Sequence, residues 1–180
     1  MLSKSGIGSH GLHEGISIRL VRSDDEERLV EHFRSLSPAS TYFRFFGPRR
    51  RLSARELAGF TEIDSRRRAA LAATIGSGST ERIVGLAQYV VVEGKRADLA
   101  CSVIDEYQGR GVGLLLLRRV LALARANGIA EFESEVLGDN QRMLGLLTKN
   151  GLAKHRSVES GVVHLTFSGD EADQALRPAA

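Results

Sequence analysis

Cys101-Ser102-Val103-Ile104-Asp105-Glu106-Tyr107-Gln108-Gly109-Arg110-Gly111-Val112-Gly113-Leu114 is the stretch on which the reading of this chain turns. Residues up to Ile104 have the pattern of a strand end, small and polar residues then turn the chain, and a leucine-rich run opens a helix. The first-turn N–H groups of a helix have no partner inside it, and the helix dipole adds partial positive charge there. Glycines at 109, 111 and 113, with Val112 between the last two, let anionic oxygens approach that backbone. Arg110 adds a fixed cation with bidentate geometry. The stretch reads as a pyrophosphate cradle. A dinucleotide fingerprint starting at Gly109 would need glycine where Leu114 stands, and a Walker loop would end in Gly-Lys-Ser/Thr. A tight loop packed under a helix would explain the glycines alone, but not an arginine and a helix start in register with them.

Working outward, Ala97–Ile104 alternates as a strand, with Ala97, Leu99, Cys101 and Val103 on one face and Asp98, Ala100, Ser102 and Ile104 on the other. Glu93-Gly94-Lys95-Arg96 is a hairpin turn that joins it to a strand over Arg82–Val92, and Ala69–Ile75 is another strand. Upstream, Ile16–Val21 alternates as a strand. Asp24 caps a helix in which Leu29, Phe33 and Leu36 recur at helical spacing, and Pro38 stops it. The segment 37–51 reads as irregular and aromatic-rich, and Ser53 with Glu56 forms a capping box for a short helix. Downstream come a long helix Val112–Asn127 ended by Gly128, a strand Glu131–Val136, a helix Asn140–Lys149 stopped by Gly151, and a hairpin of Leu152–Val158 with Val162–Phe167. The order βααβββαβαββ predicts an α/β (α+β) fold: a mixed, mostly antiparallel central sheet flanked by helices on both faces.

The 180 residues, 42% hydrophobic and 26% charged, suit one globular domain, placed at 16–168. The glycine- and serine-rich 1–15 has no cationic start leading into an apolar stretch, so it reads as a flexible tail rather than a signal or anchor, and the polar 169–180 reads as a second tail. No apolar run approaches the roughly 20 residues of a membrane-spanning helix. One cysteine excludes an internal disulfide framework and a multi-cysteine zinc site. A net charge of +3, 6% aromatics and no tryptophan argue against a nucleic-acid partner. No two histidines have metal-ligand spacing with a third donor, so no metal is expected.

Gln108-Gly109-Arg110-Gly111-Val112-Gly113 resembles the Q/R-x-x-G-x-G/A signature of the GNAT acetyltransferases. The resemblance implies a GNAT-like fold over Ile16–Phe167, acetyl-CoA as cosubstrate, and N-acetyl transfer in the cytoplasm by a monomer or homodimer. It implies that the cradle holds the coenzyme A pyrophosphate and that the backbone of Val103 pairs with the pantetheine arm. Asn140 and the ending Lys149-Asn150-Gly151-Leu152 resemble the family's N-x(10)-G-F block, which places Asn140 among the cofactor-binding residues. A tyrosine that often serves the family as general acid would fall at 147, where this chain has Leu147. Further segments, 37–47, 52–64 and 134–144, resemble the acetyltransferase domain of Pat-type protein lysine acetyltransferases. That likeness implies a protein lysine as acceptor, with a small-molecule amine as the alternative and a weakly catalytic coenzyme A-binding regulator as a third reading. Pat-type domains are often fused to a regulatory module, for which this chain has no room.

The reaction implied is attack by a primary amine on a thioester. A lysine amine of pKa near 10.4 is neutral about once in 2,500 molecules at pH 7, a handicap of about 4.6 kcal/mol, so a carboxylate base is expected. Asp98, an acid inside an apolar strand where Pat-like proteins carry glutamate, is the first candidate; a solvated strand residue is the plain alternative. Glu135 is the second, with a cross-strand partner as its plain alternative. Cys101 lies on the apolar face and reads as a small buried hydrophobe. Tyr42, Phe43, Phe45 and Phe46 read as core or as the lining of an acceptor groove. Arg49–Arg51 and Arg66–Arg68 read as solvated faces.

Overall fold

The computed structural model describes residues 15–49, 51–152 and 155–171. Strands β1 (Ser17–Leu20), β2 (Arg68–Ile75), β3 (Arg82–Glu93), β4 (Arg96–Val103), β5 (Glu131–Leu137), β6 (His155–Glu159) and β7 (Val162–Ser168) form one sheet of order β1-β2-β3-β4-β5-β7-β6. Every neighbouring pair is antiparallel except β4 with β5. Helices α1 (Glu26–Arg34), α2 (Pro38–Phe45) and α3 (Ala54–Thr61) precede β2, α4 (Val112–Ala126) connects β4 to β5, and α5 (Gln141–Lys149) follows β5. This is the expected α/β architecture.

The alternation read in β4 sorts the two layers. Its odd face continues through Tyr89 and Ala87 of β3 into a core with Val112, Leu116, Val120 and Ala124 of α4 and Leu147 of α5. The packing is close: a Cβ at Gly85 would lie 2.8 Å from a Leu116 methyl carbon, so only glycine lets α4 settle on β3 there. The other face of the sheet buries Ala70, Ala72 and Leu86 against Leu29 of α1 and Leu57 and Phe60 of α3.

One element was missed. Pro38 does not merely end α1; it opens α2 at the first helical position, where its missing N–H costs nothing, and Ser37 caps the helix by accepting from Ser40 N. The segment expected to be irregular is therefore helical over Pro38–Phe45, and it ends at Phe46 with a left-handed φ of 58°. Smaller shifts follow the same local chemistry. Asp25 rather than Asp24 is the N-cap residue of α1, and its carboxylate accepts from Arg22 N, Arg19 and Arg28. The Ser53–Glu56 capping box forms as read. Arg118 of α4 is partly buried, and its Nε meets no partner among the described residues. Of the two tails, residues 1–14 and 172–180 lie outside the described residues, while 169–171 form a helical turn in which Ser168 and Glu171 hydrogen-bond reciprocally. No helix among the described residues is long and apolar enough to cross a membrane.

Candidate active site

The parallel pair β4–β5 is registered over three positions only: Arg96 with Glu131, Ala97 with Phe132 and Asp98 with Glu133. One further tie, from Ser134 Oγ to the Leu99 carbonyl at 3.1 Å, closes the join. Beyond it the strands part, and the rest of β4 borders an opening on its β5 side. Ile104 N donates to Val84 O on β3, so strand alternation turns the main-chain groups of Cys101 and Val103 toward that opening. The Val103 carbonyl is already taken by Gln108 Nε2 at 2.9 Å. Its N–H is left facing the gap.

At the end of β4 a short 3₁₀ turn, Asp105–Tyr107, leads into the glycine loop. Gly109 and Gly111 take φ of 73° and 81°, in the left-handed region where a side chain is strained. Gly111 is the N-cap residue of α4 and supplies no side-chain cap, so the N–H groups of Val112 and Gly113 remain available to an anion. A Cβ on Gly113 would sit 3.7 Å from Leu146 and 3.8 Å from Val103, ordinary contact at the mouth of the opening. The Arg110 guanidinium lies 5.4 Å from the Tyr107 ring centre, stacked beside the loop.

Gln108 organises the surroundings. Besides Val103 O, its amide donates to Ser40 Oγ of α2 at 3.0 Å, and its carbonyl accepts from Arg142 of α5 at 2.5 Å. Asp105 accepts from Ser37 N, Ser37 Oγ and Ser40 Oγ. The loop is thereby tied to α2 through Ser37 and Ser40 and to α5 through Arg142, three partners that the sequence reading had not singled out. The Ser-Pro pair at 37–38 was the signal for α2; no periodicity announced Arg142. Asn140 accepts from Met143 N and caps α5, so its side chain already has a structural duty.

The two candidate bases lie on one face of the sheet, two residues beyond the β4–β5 join and at it. Burial pushes the Asp98 carboxyl up to about 6; the Arg44 cation opposes this, and Glu133 and Glu135 reinforce it. Glu135 is exposed and lies 3.2 Å from its cross-strand partner His164. Cys101 packs against the α4-side core, and burial pushes its thiol up to about 12, which leaves it protonated and inert. His32 is buried, hydrogen-bonded to Ile83 O and Ser102 Oγ, and desolvation lowers its pKa to about 4, so it is a neutral strut. Leu147 is buried in the core and offers no proton. Phe33, Phe45 and Phe60 pack together, while Tyr42 and Phe46 are exposed. Among the described residues no three of His, Cys, Asp or Glu are grouped to hold a metal.

A sheet that opens beside a glycine loop and an uncapped helix start is matched at family level. The model of the acetyltransferase (GNAT) family matches residues 30–152. The chain belongs to that family. Acetyltransferase PA5475 of Pseudomonas aeruginosa is 30% identical over 152 residues, 83% of this chain and 82% of its own. The GNAT domain of S. lividans PAT superposes with a TM-score of 0.77 at 38% identity, over 84% of this chain and 89% of that one. The acetyltransferase yncA of Salmonella typhimurium, solved with acetyl-CoA, shares the fold at 17% identity, with a TM-score of 0.68 over 87% and 95% of the two chains. The protein is an N-acetyltransferase with acetyl-CoA as cosubstrate. The residues present fit that molecule: free helix N–H groups and Arg110 for the pyrophosphate, and an open strand edge for the amide-bearing arm.

Proposed function

We propose that this GNAT enzyme acetylates protein lysines, with Asp98 as the general base. Acetyl-CoA, when bound, supplies the activated acetyl thioester. The chain's own residues do the rest. Val112 and Gly113 N–H, with Arg110, hold the pyrophosphate, and the Val103 N–H holds the pantetheine arm at the strand opening. Asp98, half-buried and of raised pKa, accepts the proton that the incoming ammonium must lose, through a bridging water. Aspartate is one methylene shorter than glutamate, which favours the bridged route. Glu135 stands next in line, held back by exposure and its His164 partner. The departing thiolate takes its proton from elsewhere than position 147.

The likeness to the Pat GNAT domain, at 38% identity, is the observation that carries the lysine assignment. This reading places the reaction in the cytoplasm, carried out by a monomer or a homodimer. The test incubates the enzyme with acetyl-CoA and a bacterial lysate and maps new acetyl-lysines, beside thiol release with polyamines and aminoglycosides. Site-selective lysine acetylation is the expected result. Turnover on the small amines far above that on any folded protein overturns the assignment.

A further inference from the structure

Helix α2 runs along β4 on the face that carries Asp98, and its residues 37, 40, 41 and 44 share one side at helical spacing. Ser37 and Ser40 pin its start to Asp105 and Gln108 at the loop end of β4, and Thr41 is buried. The last residue of that side, Arg44, is thus delivered toward the earlier part of β4, where Asp98 lies. Arg44 is half-buried, and the nearby charges that act on its guanidinium are Asp98, Arg49 and Glu56. Yet no carboxylate comes within 4.0 Å of it, and it donates no hydrogen bond among the described residues. Its close contact is the Phe45 ring, at 5.2 Å from the centroid.

Arg19, also half-buried, is by contrast fully engaged: it donates to Asp25, Glu81 and the Leu20 carbonyl. A guanidinium has five donors in a planar fork, and those of Arg44 meet no acceptor among the described residues, which leaves them to water or to a ligand. Helix α2 therefore sets Arg44 on the Asp98 face of β4 with no ion pair formed between them. That face carries a proton acceptor and a set of unused donors side by side. A lysine residue presents the matching pair, an ammonium at one end and a main-chain carbonyl at the other.

We propose that Arg44 is a specificity residue that hydrogen-bonds a carbonyl oxygen on the acceptor, the main-chain carbonyl beside the lysine being acetylated. This rests on the lysine reading above and sharpens it, because it makes the enzyme read the peptide backbone and not only an alkylamine. The test compares kcat/KM for three acceptors that share one amine arm: Nα-acetyl-lysine N-methylamide, Nα-acetyl-lysine with its free carboxylate, and 1-pentylamine. Wild type is set against Arg44→Lys, which keeps the positive charge beside Asp98 but loses the fork, and against Arg44→Gln. Any effect transmitted through Asp98 cancels in the ratio of one acceptor to another. The expected result is a fall of about 10- to 100-fold in the methylamide-to-pentylamine ratio, carried by KM for the methylamide. Thermal melts check folding, and Arg44→Lys decides the matter if Arg44→Gln does not fold. An unchanged ratio in the folded variants, or a wild type that does not prefer the methylamide to pentylamine, overturns the proposal while leaving lysine acetylation intact. A larger loss on the free carboxylate than on the methylamide overturns it in favour of amino-acid recognition. A wild type that acetylates polyamines and none of these acceptors overturns the lysine reading as well.

Discussion

Replacing Asp98 by asparagine should remove catalysis and stabilise the protein at the same time. The carboxyl titrates near 6 in the fold against an ordinary value of 3.8. At 1.36 kcal/mol per pH unit that gap corresponds to about 3 kcal/mol for holding the ionised form in place. Asp98 remains partly open to water, which screens its charge, so about half of that is expected in practice. The sign follows from linkage. A carboxyl whose pKa is raised on folding binds its proton more tightly in the native state, so stability is lost as pH rises from about 4 through about 6 and stays lost above. Asp98→Asn has nothing to ionise. At pH 8 it should melt about 3–6 °C above wild type, taking 2–4 °C per kcal/mol for a chain of this size. At pH 4 the difference should vanish. The assay is differential scanning calorimetry of both proteins across pH 4–8, with kcat at saturating acetyl-CoA measured alongside. The expected kcat loss is about 10²- to 10⁴-fold, and the wild-type acidic limb near pH 6 should be absent from the residual activity. A melting difference that is the same at pH 4 and pH 8 would refute the desolvation argument. Equal rates and profiles would pass the base to Glu135.

Two further outcomes follow from particular contacts. Gly111→Val forces a β-branched residue into a left-handed φ of 81°, so it should lose about 1–3 kcal/mol of stability as well as coenzyme A affinity, whereas Gly113→Ala should fold normally and still weaken binding in calorimetry with coenzyme A. Asp25 is fully buried and bridges Arg19 and Arg28, so Asp25→Asn should cost about 3–5 kcal/mol in urea unfolding; because these partners lower its pKa, the wild-type advantage should fade as pH drops into the acid range, and a cost below 1 kcal/mol would contradict the bridge.

The cradle and the sheet were legible because their signals are local. A glycine with positive φ, a helix opening on leucines and a strand of period two each declare themselves within a few residues. The Gln108–Gly113 reading therefore placed the loop, the start of α4 and the strand before it within a residue or two. Helix α2 was not legible in the same way, because Pro38 carries two meanings: it ends one helix and begins another, and only the Ser37 cap tells them apart. With α2 hidden, Arg44 was hidden too. Asp98 could be named as an acid in an apolar strand, but its raised pKa comes first from burial and then from Glu133 and Glu135 of β5 acting against Arg44 of α2, none of which shows in the local sequence. Glu135 illustrates the converse: a cross-strand partner was the plain alternative for it, and the β7 register supplies one in the half-buried His164 while leaving Glu135 itself exposed.

The short β4–β5 register has a consequence for cooperativity. Between the strands β1–β4 and the unit β5–α5–β7–β6, the sheet is joined by three registered pairs, the Ser134–Leu99 bond, the Arg96–Glu131 ion pair and the bonds from Ala130 N and Glu131 N to Lys95 O, over a hydrophobic core that the two parts share. This seam is the shortest strand register in the sheet, so main-chain hydrogen exchange should be least protected beside it. A ligand lying across the seam bonds both sides and adds its binding energy to the contact that holds them together. The same gap that admits acetyl-CoA is thus the place where a bound ligand adds most to the contact between the two halves of the sheet.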